Sequence, residues 1–141
     1  MKELRFVIDT NVFLVMLASR HRLHWIYKAL QAEAFQLCVS NEIVSEYEEI
    51  IQRRLGITRT ESMLRYLLMR PNVRHIEPTY RWRLLKDEDD NKFVDCAVAA
   101  NAHCIVSNDR GFRQLINIEF PPVKVLTSDE FTQTYRSSLE P

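Results

Sequence analysis

Short apolar runs alternate with amphipathic stretches along the whole chain. Arg5 to Ile8 is brief, apolar and partly β-branched, which predicts a strand buried on both faces. Asn11 to Ala18 and His24 to Ala34 carry helical spacing, with a break at Ser19 to Arg22. Phe35 to Val39 predicts a second strand. Ser40 offers an N-cap for a helix reaching about Leu55, in which Ile43, Val44, Tyr47, Ile50 and Ile51 recur at helical spacing. Gly56 ends it. Thr58, with Glu61 three positions later, fits a capping box for a helix through Met69, and Pro71 stops that helix. Val73 to Ile76 predicts a third strand. Thr79 to Lys86 is irregular, aromatic and basic. Asp87 to Asp90 is an acidic loop leading into a helix over Asn91 to Ala102. Cys104 to Val106 predicts a fourth strand, Asp109 to Leu115 a short helix, and Val123 to Leu126 a fifth strand. Ser128 then caps a last helix through about Tyr135.

Apolar strands separated by amphipathic helices imply an α/β domain, with a mostly parallel sheet of four to five strands and helices on both faces. In such sheets the working residues gather outside the carboxyl ends of the strands. The chain has 141 residues, which suits a single domain over 1–141 with a core of its own. No apolar run approaches the roughly 20 residues of a membrane helix, so no bilayer span is expected. The start, Met1 to Arg5, leads directly into the first strand without a signal-peptide h-region, and the expected location is the cytoplasm. Cys38, Cys96 and Cys104 show no CxxC spacing and are expected to be buried thiols.

Charge refines this picture. The net charge is zero, which argues against a generic polyanion binder. Its distribution is uneven: Ile51 to Lys86 holds nine basic and two acidic residues, leaving ten basic and seventeen acidic elsewhere. A basic stretch beside an acidic pocket suits a metal-dependent enzyme acting on nucleic acid. With two glycines in all, the glycine-rich turn of a dinucleotide-binding enzyme is absent. Ile76-Glu77-Pro78 lacks the aspartate that a receiver-type signalling domain needs after its third strand. The four histidines, His21, His24, His75 and His103, show no hydrolase spacing.

Four acids fall where strand and helix ends would gather: Asp9, Glu46, Asp95 and Asp109. Carboxylates collected without a basic partner have no packing rationale, whereas a hard divalent cation wants oxygen ligands. Asp9 closes the first strand and also suits an N-cap. Glu46 and Glu48 flank the apolar stripe of their helix at similar angles, so spacing leaves both open. Asp95 sits in an otherwise apolar helix, at a cost of several kcal/mol unless it is paired or bound to a cation. The one basic neighbour on that helix is Lys92 at i−3, and a Lys92–Asp95 pair is the plain alternative. Asp90 fits either a helix cap or the same pocket. Asp109 follows Ser107 and Asn108 in a turn that suits both a cap and a ligand.

The blocks Phe6-Val7-Ile8-Asp9-Thr10-Asn11-Val12, Val44-Ser45-Glu46-Tyr47, Asp89-Asp90-Asn91-Lys92-Phe93-Val94-Asp95-Cys96-Ala97 and Ile105-Val106-Ser107-Asn108-Asp109 resemble PIN-domain nucleases. The likeness is strongest to the VapC-like toxins of toxin–antitoxin systems, and it covers nearly the whole chain in order. This resemblance implies a three-layer α/β/α sandwich and an endoribonuclease dependent on Mg²⁺ or Mn²⁺. By position it makes Asp9, Glu46, Asp95 and Asp109 the acidic quartet, selecting Glu46 over Glu48. Asp90 matches an extra acidic position of the subgroup. Asn11 and Ser107 match polar positions that would orient the carboxylates. The resemblance further implies an RNA substrate, a cognate antitoxin and a homodimer. Tyr80 and Trp82, set among arginines, would stack on bases of a single strand. A PIN-like module that binds RNA or protein without cutting is the rival expectation.

Overall fold

The computed structural model describes residues 3–140, so Met1 and Lys2 of the expected strand approach lie outside the described residues. Five strands, β1 (Arg5–Ile8), β2 (Gln36–Val39), β3 (Val73–His75), β4 (Cys104–Val106) and β5 (Val125–Leu126), form one sheet in the order β3-β2-β1-β4-β5. Every pairing is parallel, with Phe6 opposite both Leu37 and Cys104. Phe6, Val7, Ile8, Cys104, Ile105 and Val106 are all buried, which explains why these strands read as continuous apolar runs rather than alternating ones.

Helices α1 (Thr10–Met16), α2 (His24–Gln31), α3 (Asn41–Leu55) and α4 (Ile57–Leu68) connect β1, β2 and β3 and pack on one another. The chain then crosses back from β3 to β4 through α5 (Asn91–Ala100), which touches β1, β2 and β4. Right-handed crossovers in opposite directions put these two sets of helices on opposite faces, giving the expected α/β/α layering. The last helix, α6 (Ser128–Leu139), packs back against α2. Because β1 leads outward to β2 and β4 lies on its other side, the sheet changes direction between β1 and β4. In doubly wound sheets that point, at the strands' carboxyl ends, is where ligands bind.

Two fully buried rings, Phe13 of α1 and Tyr47 of α3, stack with centroids 4.0 Å apart. The Tyr47 hydroxyl donates to the Ile8 carbonyl. This bond ties α3 to the last residue of β1 and carries the neighbouring Glu46 to the strand's end. The three cysteines are buried, as expected. Burial pushes the thiols up, to about 11 for Cys38 and about 12 for Cys96 and Cys104.

Several boundaries differ from the sequence expectations. Thr58 does not cap α4: Gly56, at φ 78°, ends α3 and opens α4 at once, a backbone state that favours glycine. The buried Thr60 instead donates its hydroxyl to the Gly56 carbonyl at 2.7 Å. The cap of α6 is Thr127 rather than Ser128, in a capping box with Glu130. The segment after Asp109 is a 3-10 helix over Arg110–Asn117, and the Asp87–Asp90 loop contains a 3-10 turn over Glu88–Asp90.

Candidate active site

Asp9 leaves β1 with its backbone N–H on the Val106 carbonyl at 3.0 Å, so it remains part of the sheet. Its side chain caps α1 by accepting from the Val12 N–H at 2.9 Å. Its other oxygen accepts from the Ser107 hydroxyl. Ser107 in turn accepts from the Asp109 N–H at 3.0 Å, so one buried hydroxyl orders the acids that follow β1 and β4. Asp9 is 5% exposed, and burial raises its pKa against the lowering effect of those two bonds; Asp109 and Glu46 push it further up.

Asp109 caps the 3-10 helix through the Gly111 N–H at 2.8 Å. Gly111 separates it from Asp90: a Cβ placed there would stand 3.3 Å from Asp109 Oδ1 and 3.6 Å from Asp90 Oδ2. The two carboxylates face each other across that glycine. Burial, then repulsion from Asp109, Asp87, Glu46 and Asp9, pushes Asp90 up to about 6.

Glu46 is half-buried and turned inward, while Glu48 is exposed and accepts from Gln52 on its own helix. One Glu46 oxygen accepts from the Thr10 hydroxyl. The other pairs with the Lys92 ammonium at 2.8 Å. Thus a basic side chain does stand among the acids, contrary to the expectation of an uncompensated cluster. It is paired with Glu46, not with Asp95.

Asp95 has different neighbours from the other three acids. Asp109 and Glu46 act electrostatically on both Asp9 and Asp90, and neither is among the charges that act on Asp95. The Asp95 carboxylate accepts from the Trp82 N–H at 3.0 Å, and the charges that act on it are Arg81 and Glu42. Burial is the main cause of its raised pKa. Asp90 precedes the first residue of α5 whereas Asp95 lies within it, and no charge that acts on Asp90 is among those that act on Asp95. Asn91 lies on the same face as Asp95 and exchanges two bonds with the Leu85 backbone, at 2.9 and 3.2 Å. Together Asn91 and Asp95 staple the irregular basic segment onto α5. The Trp82 N–H and Arg81 offset part of the cost of an aspartate in an apolar helix.

Of the proposed supporting residues, Ser107 makes the bonds expected of it. Asn11 is exposed and makes no side-chain hydrogen bond among the described residues. Thr10 takes the role given to Asn11. Its signal was its place directly after Asp9, at the first helical position. Lys92 was visible only as a neighbour of Asp95, because its true partner lies on another helix.

The stapled segment presents aromatic side chains. Tyr80 and Trp82 lie with ring centroids 4.6 Å apart, and Phe120 stands 5.7 Å from Trp82. Tyr80 and Phe120 are exposed. Arg81 within this group pairs with Glu42 at 3.3 Å. Phe120, distant in sequence, was not foreseen.

Chemically, the pocket offers carboxylate oxygens, the donor type that hard divalent cations prefer. Among the described residues, however, no three acids are already close enough to form a finished metal cage. A magnesium-like ion retains several waters and needs few carboxylates, so an open set fits it. In the metal-free protein the ionised Asp90 opposes folding. Above about pH 6 that penalty is complete, because Asp90 is ionised both folded and unfolded. As pH falls from about 6 towards 3.8, the folded protein takes up the proton first and stability rises. In EDTA, the urea midpoint is therefore expected to be higher at pH 5 than at pH 7. The difference should shrink in Asp90→Asn.

The sequence matches the family model of the PIN domain over residues 5–111. No curated protein matches it. The fold is similar to VapBC2 from Rickettsia felis bound to a DNA fragment from their promoter, with TM-score 0.63 and 15% identity over 88% of this chain and 98% of that one. It is also similar to DNA-bound VapBC from Salmonella typhimurium, with TM-score 0.61 and 14% identity over 89% and 98%. The PIN domain endonuclease Utp24 gives TM-score 0.53 and 18% identity over 87% and 84%. No helix among the described residues is long and apolar enough to cross a membrane.

Proposed function

The chain belongs to the PIN domain family, and on that footing we propose that it is an endoribonuclease dependent on Mg²⁺ or Mn²⁺, acting as the toxin of a toxin–antitoxin pair. The observation that supports this is that Asp109 and Glu46 both act electrostatically on Asp9 and on Asp90. PIN domains are generally nucleases that use divalent metals, which supports the class of reaction. The VapBC fold supports an antitoxin partner, and a homodimer belongs to the same proposal.

Asp9, Asp90 and Asp109 would hold the cation. When bound, it supplies positive charge that acidifies a water and stabilises the leaving oxygen. Ser107 and the Val12 N–H hold Asp9 in one orientation, and the Gly111 N–H does the same for Asp109. Such fixed ligands lose little freedom when the site fills. Tyr80, Trp82 and Phe120 would stack on bases of a single strand, a contact open to any base.

The test is cleavage of a mixed RNA pool by the purified protein in Mg²⁺, in Mn²⁺ and in EDTA. Cleavage that appears with either metal and vanishes in EDTA is the expected result. No cleavage, together with no calorimetric metal binding, would instead identify a catalytically silent binding module.

A further inference from the structure

We infer that the cavity between α2 and α6 is a phosphate-binding subsite, which holds the backbone of an RNA strand away from the acids that would cut it. The inference rests on the reading of the protein as a ribonuclease and names a second place where its substrate is held. The cavity, of about 700 Å³, lies beside the turn that joins α1 to α2. None of Asp9, Glu46, Asp90 or Asp109 lines it. Arg22, Lys28 and Arg136 do, together with His21 and Trp25. Lys28 is exposed and has no carboxylate partner among the described residues.

The free groups of this lining are donors. His21 Nδ1 accepts from the Leu23 N–H at 3.1 Å, so the proton of the neutral ring sits on Nε2, free to be donated. Trp25 is 5% exposed; its ring stacks on Phe131 with centroids 5.7 Å apart, and the Arg136 guanidinium lies 5.7 Å from its centre. Its indole N–H is buried and has no acceptor among the described residues. Buried indole N–H groups usually find one. An ammonium and an indole N–H can only donate. Arg22 pairs with Asp129 at 2.6 Å, and Arg136 with Glu140, the one carboxylate of the lining, at 2.7 Å; each guanidinium keeps further N–H groups. What complements this lining is an anion with several acceptor oxygens and no donor, which describes a phosphodiester. The cations are also spread out. Asp129, which holds Arg22, and Arg136 stand seven residues apart on α6, roughly 10 Å along its axis. One phosphate cannot meet both ends, whereas successive phosphates of a strand can. A groove of cations that follows the backbone is how single strands are held without regard to sequence.

The test is fluorescence anisotropy of a labelled single-stranded RNA of about 12 nucleotides, within the usual span of single-strand sites, titrated with the full-length protein over a range of salt. EDTA is present, so that metal-dependent cleavage is stopped. Each phosphate contact to a single strand contributes about 0.7 to the slope of log affinity against log salt. That slope is expected to become shallower by about 0.7 in Lys28→Gln and by about 1.4 in Lys28→Gln/Arg136→Gln, and to keep its wild-type value in Lys28→Arg. Because Lys28 has no carboxylate partner in the chain, Lys28→Gln should melt with the wild type, which separates a lost RNA contact from a damaged fold. Wild-type slopes in both neutral variants would overturn the inference. So would variants that lose binding of poly-glutamate, or of inorganic phosphate, while RNA binding is unchanged; the cavity would then serve an acidic protein or a free anion. If the wild type cleaves RNA with Mn²⁺ and all the slopes agree, only this inference fails. If the wild type neither binds nor cuts RNA, the ribonuclease reading fails with it.

Discussion

Asp9→Asn is expected to reduce RNA cleavage by on the order of a thousandfold or more while leaving the fold intact. Asparagine keeps an oxygen to accept from the Val12 N–H, so the cap of α1 survives. Its amide group can face the Ser107 oxygen once that hydroxyl rotates. The negative charge is what disappears, and with it the most buried member of the acidic set. Burial disfavours the ionised Asp9 carboxylate. The variant should therefore melt at a higher temperature than the wild type in EDTA, with the order reversed or narrowed in Mn²⁺. Rate and melting curves together separate a lost ligand from a damaged fold. Undiminished cleavage by Asp9→Asn would sink the mechanism.

The second large effect is a contrast between two aspartates in one stretch of chain. Asp90→Asn should weaken Mn²⁺ binding by about 10–100-fold or more, with a comparable loss of cleavage. Asp95→Asn should leave Mn²⁺ affinity within about twofold, because substitutions away from the site act independently of it. Asparagine at 95 can still accept from the Trp82 N–H, so stability should change little. Asp95→Ala removes that acceptor and should cost about 1–3 kcal/mol. It should also loosen Tyr80 and Trp82, and so weaken binding of a non-cleavable RNA analogue without changing metal affinity. The opposite pattern, with metal binding sensitive to position 95 and indifferent to position 90, would restore the ligand set suggested by the sequence.

That contrast marks what can be read from the residues alone. The strands were legible because a parallel sheet buries both faces, and Phe6-Val7-Ile8 and Cys104-Ile105-Val106 have no other stable setting. Asp9 and Asp109 were legible because strand ends in such a sheet converge. The neighbours of Asp95 were not legible for a physical reason: periodicity describes a helix by itself. The backbone that neutralises its isolation comes from an irregular segment with no period at all. Asp90 stays open between a helix cap and the pocket in the sequence, since nothing local shows that Gly111 returns against it. The Lys92–Glu46 pair joins two helices that are distant in sequence. No spacing rule reaches that far.

The central strand is also the first in chain order among the described residues. Its Asp9 is aligned by Ser107, 98 positions later, and β1 lies between β2 and β4. Contacts of such long sequence separation form late and slowly. A growing chain can pair β1 with β2 early, but the other neighbour of β1 is missing until β4 has been made. The residues after β1 and those after β4 can therefore meet only once both strands are paired.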